Sequence, residues 1–123
     1  MSKICITSRG EDLQSEVDPR FGRCAYFIIA DTESGECEAV RNPNIDSSGG
    51  AGIQSGQLIA EKGVKSVLTG NVGPNAYQTL NAAGVSIITG VSGKVREVIE
   101  KYKNGKFQST DGPSVDSHFG MGK

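Results

Sequence analysis

The run from Asp18 to Cys24 carries the residue types in this chain that are best suited to holding a ligand. It reads Asp-Pro-Arg-Phe-Gly-Arg-Cys, so two arginines, a glycine and a cysteine fall within five residues. Arginine donates directional hydrogen bonds to anions, glycine lets a ligand approach the backbone, and a thiolate can bind a metal. The run therefore predicts a site for an anionic ligand, with Cys24 as a candidate metal ligand.

The elements that must position this run follow from the hydrophobic pattern. Strands are predicted over 3–7, 21–31, 36–41, 66–69 and 85–89, and helices over 53–62, 74–83 and, after a Ser92 cap, 95–102. The strings 63–70 and 84–90 repeat one order: helix stop, strand, glycine loop. That repeat is typical of the βα units of a parallel sheet, so the predicted fold class is α/β.

Chain direction brings four glycine-rich loops, residues 8–23, 42–52, 70–74 and 90–94, to one edge of the predicted sheet, which we call the upper edge. Nine of the seventeen glycines fall in these loops. Three helices would begin at this edge and present free N–H groups and positive dipole ends to an anion. Arg9, Arg20, Arg23 and Lys94 add positive charge. The loops therefore predict an anion site, although ordinary tight turns would also use glycine.

Composition limits the class of protein. The chain has 123 residues and a net charge of −1, which fits a single domain, assigned to residues 1–108, followed by a flexible glycine-rich tail at 109–123. No basic run interleaved with aromatics indicates nucleic acid, and no apolar run approaches the ~20 residues of a membrane span. Three cysteines without a C-x-x-C pair predict reduced thiols and a cytoplasmic protein.

Catalytic motifs are weak. His118 is the only histidine, so a Ser-His-Asp or Cys-His arrangement would need a residue of the tail. His118 with Met121 could bind a metal, but a histidine in a polar tail is more often solvated. The glycines at 50, 52 and 56 match a dinucleotide loop only loosely, and Gly93-Lys94 lacks the rest of a P-loop. We expect Cys5 and Cys37 to be structural.

Several strings together resemble one protein family. They are Asp18 to Arg23, Asn42, the glycine turn at 49–52, the Thr-Gly-Asn-Val-Gly-Pro-Asn-Ala string at 69–76 and the Tyr-Lys-Asn-Gly string at 102–105. The chain is similar, over residues 3–107, to the dinitrogenase iron–molybdenum cofactor biosynthesis family, which includes NifX and the C-terminal part of NifB. The resemblance implies a ribonuclease-H-like fold: a five-stranded mixed sheet of order 3-2-1-4-5, with strand 2 antiparallel, and three helices.

The resemblance also implies a function. Family members carry or hold iron–sulfur-based cofactor precursors, so we expect a non-catalytic binding or carrier protein for an anionic iron–sulfur or molybdenum-containing cluster. Cluster donor and acceptor proteins would be its partners. Arg20 stands where the family often has histidine, which favours electrostatic holding over coordination. Nuclease activity is disfavoured because the first strand holds no carboxylate.

The predicted ligand contacts are drawn from the upper edge and from the family strings. They are Arg9, Arg20, Phe21, Gly22, Arg23, Gly50, Gly52, Gly70, Asn71 and Gly73, with Cys24 as the candidate metal ligand. Two other functions stay open at this point. The same edge could serve an enzyme or sensor that binds a phosphorylated metabolite or nucleotide, or the glycine loops could form a protein-interaction module.

Overall fold

A computed structural model of the chain describes residues 3–43 and 51–107. The strands are β1 (Lys3–Ser8), β2 (Tyr26–Asp31), β3 (Cys37–Arg41), β4 (Ser66–Leu68) and β5 (Ser86–Ile88), and the helices are α1 (Ala51–Glu61), α2 (Pro74–Ala82) and α3 (Val95–Lys103). The five strands form one sheet in the order β3-β2-β1-β4-β5. β2 is antiparallel to β1 and β3, whereas β1, β4 and β5 are parallel. The predicted fold class, strand order and antiparallel second strand are confirmed.

Both faces of the sheet are covered by helices. On one face α1 and α2 contribute Ile59, Ala76 and Leu80 to a core with the strand residues Cys5, Phe27, Ile29, Val67 and Ile87. On the other face α3 contributes Val95 and Val98 to a core with Ile4, Ile6, Ile28, Leu68 and Ile88. This burial on both faces is why the central strands are nearly continuous apolar runs.

The second strand starts later than predicted. The pattern predicted a strand from Phe21, but β2 begins at Tyr26, and residues 21–25 form an irregular connection. Gly22 has a φ of 93°, a left-handed conformation that ends any extended run. β2 therefore starts opposite the end of β1, where Tyr26 pairs with Ser8, and the connection precedes it at the upper edge.

α1 and α2 lie side by side and begin together at the upper edge. A Cβ added at Gly52 would lie 3.3 Å from the Cβ of Ala76, and one at Gly56 would lie 2.9 Å from the Cγ2 of Thr79. Because these contacts advance along both helices in the same order, the helices run parallel. Their positive dipole ends therefore meet.

Some predictions fall outside the described part of the chain. The domain boundary at residue 108, the tail at 109–123 with His118, and Gly50 all lie outside it and stay predictions. Within the described ranges, no helix is long and apolar enough to cross a membrane.

Candidate functional site

Part of the first loop, residues 13–21, crosses the upper edge above the ends of β1 and β4; we call it the crossing segment. The N–H of Asn71, just after β4, donates to the carbonyl of Pro19 at 2.7 Å, and the N–H of Phe21 donates back to the carbonyl of Asn71 at 3.3 Å. A Cβ added at Gly70 would lie only 2.6 Å from the Cα of Pro19. The crevice between β1 and β4, where open α/β sheets commonly bind ligands, is thus filled by the chain itself.

Two buried threonines anchor the crossing segment to the strand ends. The Oγ1 of Thr7 donates to the carbonyl of Asp18 at 2.7 Å and lies 2.8 Å from the Oγ1 of Thr69. Since a hydroxyl has one proton, the Thr69 hydroxyl donates to Thr7 in this arrangement. Thr7 and Thr69 are fully buried, so losing either partner would leave an unsatisfied polar group.

The crossing segment also closes the beginning of α3. The N–H groups of Val95 and Arg96, the first two of the helix, donate to the carbonyls of Ser15 and Leu13, each at 2.9 Å. No side chain caps α3, and its N-cap is Lys94 rather than the predicted Ser92. The prediction that three helices present free N–H groups at this edge is therefore wrong for α3, whose first donors already have backbone partners.

Among the described residues, none of the backbone hydrogen bonds of the crossing segment goes to α1 or α2, and we call this side of the upper edge the open side. α2 begins with Pro74 after the N-cap residue Gly73, and no side chain caps it. Gly52 of α1 lies directly against the backbone nitrogen of Ala76, which a Cβ at Gly52 would approach to 3.5 Å. Two parallel helix N-termini are therefore adjacent here, and together they favour negative charge.

A tight turn from Arg20 to Arg23 lies beside these helix ends. The N–H of Arg23 donates to the carbonyl of Arg20 at 3.3 Å, and Gly22 supplies the positive φ of the turn's third residue. The ring of Phe21 is buried against Phe27, with ring centroids 5.7 Å apart. Phe21 therefore anchors the turn in the core, with Arg20 exposed and Arg23 half-buried on either side of it.

Asn42 fixes the same turn from below. Its side chain is 1% exposed, and its Nδ2 donates to the carbonyls of Gly22 at 3.1 Å and Cys24 at 2.9 Å. Its own backbone N–H donates to the carbonyl of Ala25 at 3.0 Å. One buried amide thus satisfies two carbonyls of a connection that has no regular secondary structure.

The guanidinium of Arg20 is held in place by Asp18. Nε of Arg20 lies 3.2 Å from Oδ1 of Asp18, and Nη2 lies 3.3 Å from Oδ2. The backbone N–H of Arg20 also donates to Oδ1 at 3.0 Å. The Asp18 side chain is 4% exposed and that of Arg20 is 63% exposed, so a buried carboxylate orients an exposed arginine. This hydrogen bonding raises the pKa of Arg20, which stays fully charged.

Comparison with known proteins identifies the family of this chain. The family model described as dinitrogenase iron-molybdenum cofactor matches residues 2–105, which is most of the chain. The chain belongs to this family. Its predicted resemblance to the iron–molybdenum cofactor proteins is confirmed.

Three similar proteins illustrate the match. The apo orange protein of Desulfovibrio gigas is 38% identical, with a TM-score of 0.88 over 92% of this chain and 96% of that one. A NifB-like protein from Thermotoga is 42% identical, with a TM-score of 0.77 over 89% and 93%. An uncharacterized protein of Methanocaldococcus jannaschii is 31% identical over 97 residues, which is 76% of this chain and 82% of the relative.

The upper edge brings most of the predicted contacts together, but not all of them. Pairing of the crossing segment with the loop after β4 places Arg20 next to Asn71. Arg9 lies elsewhere, because its N–H donates to the carbonyl of Glu16, and Glu16 pairs with Lys94 at the closed α3 end. Arg9 and Lys94 therefore belong to the α3 side, away from the open helix ends. Whether any predicted residue touches a ligand stays a prediction.

The three cysteines of this family member are poorly placed to act as metal ligands. Cys5 and Cys24 are fully buried, and Cys37 is exposed at the start of β3, at the opposite edge. Burial, followed by the nearby carboxylate of Asp18, raises the pKa of Cys24 to about 12. Among the described residues, no three His, Cys, Asp or Glu side chains form a metal-binding group. Coordination by Cys24 stays a prediction that its burial disfavours.

Sequence reasoning missed the residues that support the turn. The sequence places Asp18 in the run from Asp18 to Cys24 and Asn42 among the family strings, and neither pattern assigns a supporting role. The signal for Asp18 was its position two residues before Arg20, the spacing of a local carboxylate-to-backbone hydrogen bond. Asn42 carried no such local signal, because its partners lie 18 and 20 residues away.

Proposed function

We propose that this chain is a non-catalytic carrier of an anionic metal–sulfur cluster or cofactor precursor, held on the open side of the upper edge. The observation that carries the proposal is the meeting of two parallel helix N-termini with the Arg20–Arg23 turn. The helix ends favour negative charge, the arginine side chains can donate directional hydrogen bonds to it, and neither feature provides a covalent ligand. Membership of the iron–molybdenum cofactor family supports a metal–sulfur cargo.

The donor chemistry favours holding the cargo without coordination. Arginine and backbone N–H groups are hydrogen-bond donors that can contact the sulfide or oxide surface of a cluster. The cargo would then bring its own complete set of ligands to the metals. A carrier of this kind can release its cargo without breaking a metal–ligand bond, which suits transfer between cluster donor and acceptor proteins.

The open side of the edge is formed by several elements. It spans the first turns of α1 and α2, the loop after β4, and the turn at residues 20–23. Gly73 leaves backbone accessible there, because a Cβ added to it would meet nothing within 4 Å, whereas the side-chain position of Gly52 is filled by Ala76. The three reduced cysteines fit a cytoplasmic setting, in which a reduced cluster would also persist.

Anaerobic reconstitution tests this proposal. The protein is incubated with iron(II), sulfide and molybdate, separately and together, passed through a desalting column, and analysed for metal and sulfide per chain. We expect wild-type protein to retain metal and sulfide together and to become coloured. Arg20→Ala should lower the retained metal several-fold, because it removes the exposed donor of the turn.

Arg96→Ala is the matched control. Arg96 is also exposed, but it lies on α3, whose first N–H groups are closed by the crossing segment. Its loss should leave retention unchanged. Wild-type protein that retains neither metal nor sulfide under any of these conditions would contradict the proposal. A thermal shift with nucleotides or phosphorylated metabolites, in the absence of cluster uptake, would instead favour a metabolite-binding protein.

A further inference from the structure

The contact between Asp18 and Arg20 leaves a defined part of the guanidinium free. A guanidinium has five N–H donors arranged around a plane. Asp18 accepts from Nε and from one proton of Nη2, which is the side-on pairing. The end-on edge, formed by one proton on Nη1 and the second proton on Nη2, has no partner among the described residues. This edge presents two parallel donors from a side chain that is 63% exposed.

The turn at residues 20–23 and the loop after β4 fix the position of the backbone from which the Arg20 side chain extends. Arg20 pairs with Asn71, and the N–H of the next residue, Phe21, donates to the Asn71 carbonyl. Asn71 precedes Pro74, the first residue of α2, by three residues, so the backbone that carries the guanidinium is tethered to the loop that leads into α2. The carboxylate that holds the guanidinium belongs to Asp18, which is buried. The backbone carbonyl of Asp18 accepts a hydrogen bond from the Oγ1 of Thr7, which fixes the position of this residue.

We propose that Asp18 is a positioning residue for the anion site, which orients the end-on edge of Arg20 toward a ligand. The ligand class that matches two parallel N–H donors is an anion with two adjacent terminal oxygen or sulfur atoms. This inference rests on the proposed function, because it assigns a role within the same anion site. It adds that binding there depends on the direction of the two donors. The site requires an arginine held in a fixed orientation, and positive charge alone does not suffice.

Charge alone makes the opposite prediction about Asp18. The Asp18–Arg20 pair is neutral overall, so removing the carboxylate would make the site more positive and strengthen anion binding by Coulomb attraction. If Asp18 instead orients Arg20, removing the carboxylate frees the guanidinium and weakens binding, despite the gain in positive charge. The two interpretations differ in sign, which makes the substitution decisive.

The experiment measures binding of molybdate and sulfate, two tetrahedral anions, to the folded protein by NMR. The signals followed are the Arg20 side-chain Nε–H and the backbone N–H of Asn71. We expect wild-type protein to shift both signals on titration. Asp18→Asn should weaken molybdate binding about tenfold, the size of effect expected for hydrogen bonds to a charged group. Arg20→Lys, which keeps the charge but loses the fork, should weaken it similarly.

Glu16→Gln is the control for charge. Glu16 is exposed on the same crossing segment, and its removal also deletes one negative charge. It should leave affinity unchanged or slightly tighter. In the Arg20→Lys background, Asp18→Asn should cause no further loss of molybdate affinity. Lysine has no guanidinium for the Asp18 carboxylate to orient. The unfolding temperature of each variant separates lost binding from lost folding.

The outcomes distinguish this inference from the proposed function. If Asp18→Asn binds molybdate as tightly as wild type, or more tightly, the positioning role is wrong while the carrier function stands. If neither anion shifts the Arg20 signal of wild-type protein, the positioning role is also wrong, and the reconstitution result decides the carrier function separately. Additive losses in the Asp18 and Arg20 double variant would likewise overturn it.

Discussion

At the scale of single residues, the candidate site depends on side chains that face inward. Asn42 and Asp18 are buried, and each makes hydrogen bonds to the turn that carries Arg20 and Arg23. A connection without regular secondary structure needs such partners, because its carbonyl and N–H groups have no strand or helix to satisfy them. In the proposed site the exposed Arg20 would contact the ligand, while the buried amide and carboxylate hold the backbone and side chain that present it.

Replacing Asn42 tests this dependence. Asn42→Ala leaves the carbonyls of Gly22 and Cys24 without the Nδ2 donor, so the free energy of unfolding should fall by about 2 kcal/mol. Urea denaturation followed by circular dichroism measures the change. Asn81→Ala, on the exposed face of α2, is the control and should change stability by no more than ~0.5 kcal/mol. Equal effects of the two substitutions would show that the amide does not hold the turn.

At the scale of elements, the sequence predicts the sheet well and the crossing segment poorly. The strands and helices follow from hydrophobic runs and glycine stops, and the glycine loops correctly indicate the upper edge. The crossing segment has no such pattern, because it is held by backbone hydrogen bonds to residues such as Asn71 and Val95, which lie more than fifty residues away in sequence. Backbone hydrogen bonds do not require particular side chains, so the residue types do not reveal them. This is why closure of α3 could not be foreseen.

The glycine beneath the crossing segment gives a prediction at this scale. In Gly70→Ala the new Cβ would lie 2.6 Å from the Cα and 3.0 Å from the carbonyl oxygen of Pro19, so the backbone must move. We expect a loss of about 2 kcal/mol or more in the free energy of unfolding, and weaker anion binding as the segment shifts. Denaturant titration and the molybdate titration measure the two effects.

Gly73→Ala is the matched control for that substitution. A Cβ added at Gly73 meets nothing within 4 Å, and its φ of −83° suits any residue. As an N-cap glycine, Gly73 should lose no more than ~1 kcal/mol on replacement by alanine. If Gly70→Ala were as stable as Gly73→Ala, the crossing segment would not be packed on the loop as described.

At the scale of the whole molecule, the core contains two ionisable groups that the fold keeps neutral. Cys5 and Cys24 are fully buried, and burial raises the pKa of both thiols. This burial therefore makes the fold sensitive to alkaline pH, and it also disfavours metal coordination by Cys24. Above the ordinary thiol pKa of about 8.5, the unfolded chain releases protons that the folded chain retains.

The sign of this effect can be worked out and tested. Because the unfolded state binds fewer protons, stability is complete below pH ~8.5 and falls above it by about 1.4 kcal/mol per pH unit for each buried thiol. For Cys24 the loss continues to about pH 12, the pKa of the folded thiol. We expect Cys24→Ala to be less stable than wild type at pH 7 but to lose less stability between pH 8 and ~10.5. Denaturant titrations under reducing conditions measure the difference, with the exposed Cys37→Ala as the control. Parallel losses in wild type and Cys24→Ala would mean that the Cys24 thiol ionises in the folded protein, and its proposed exclusion from ligand chemistry would have to be withdrawn.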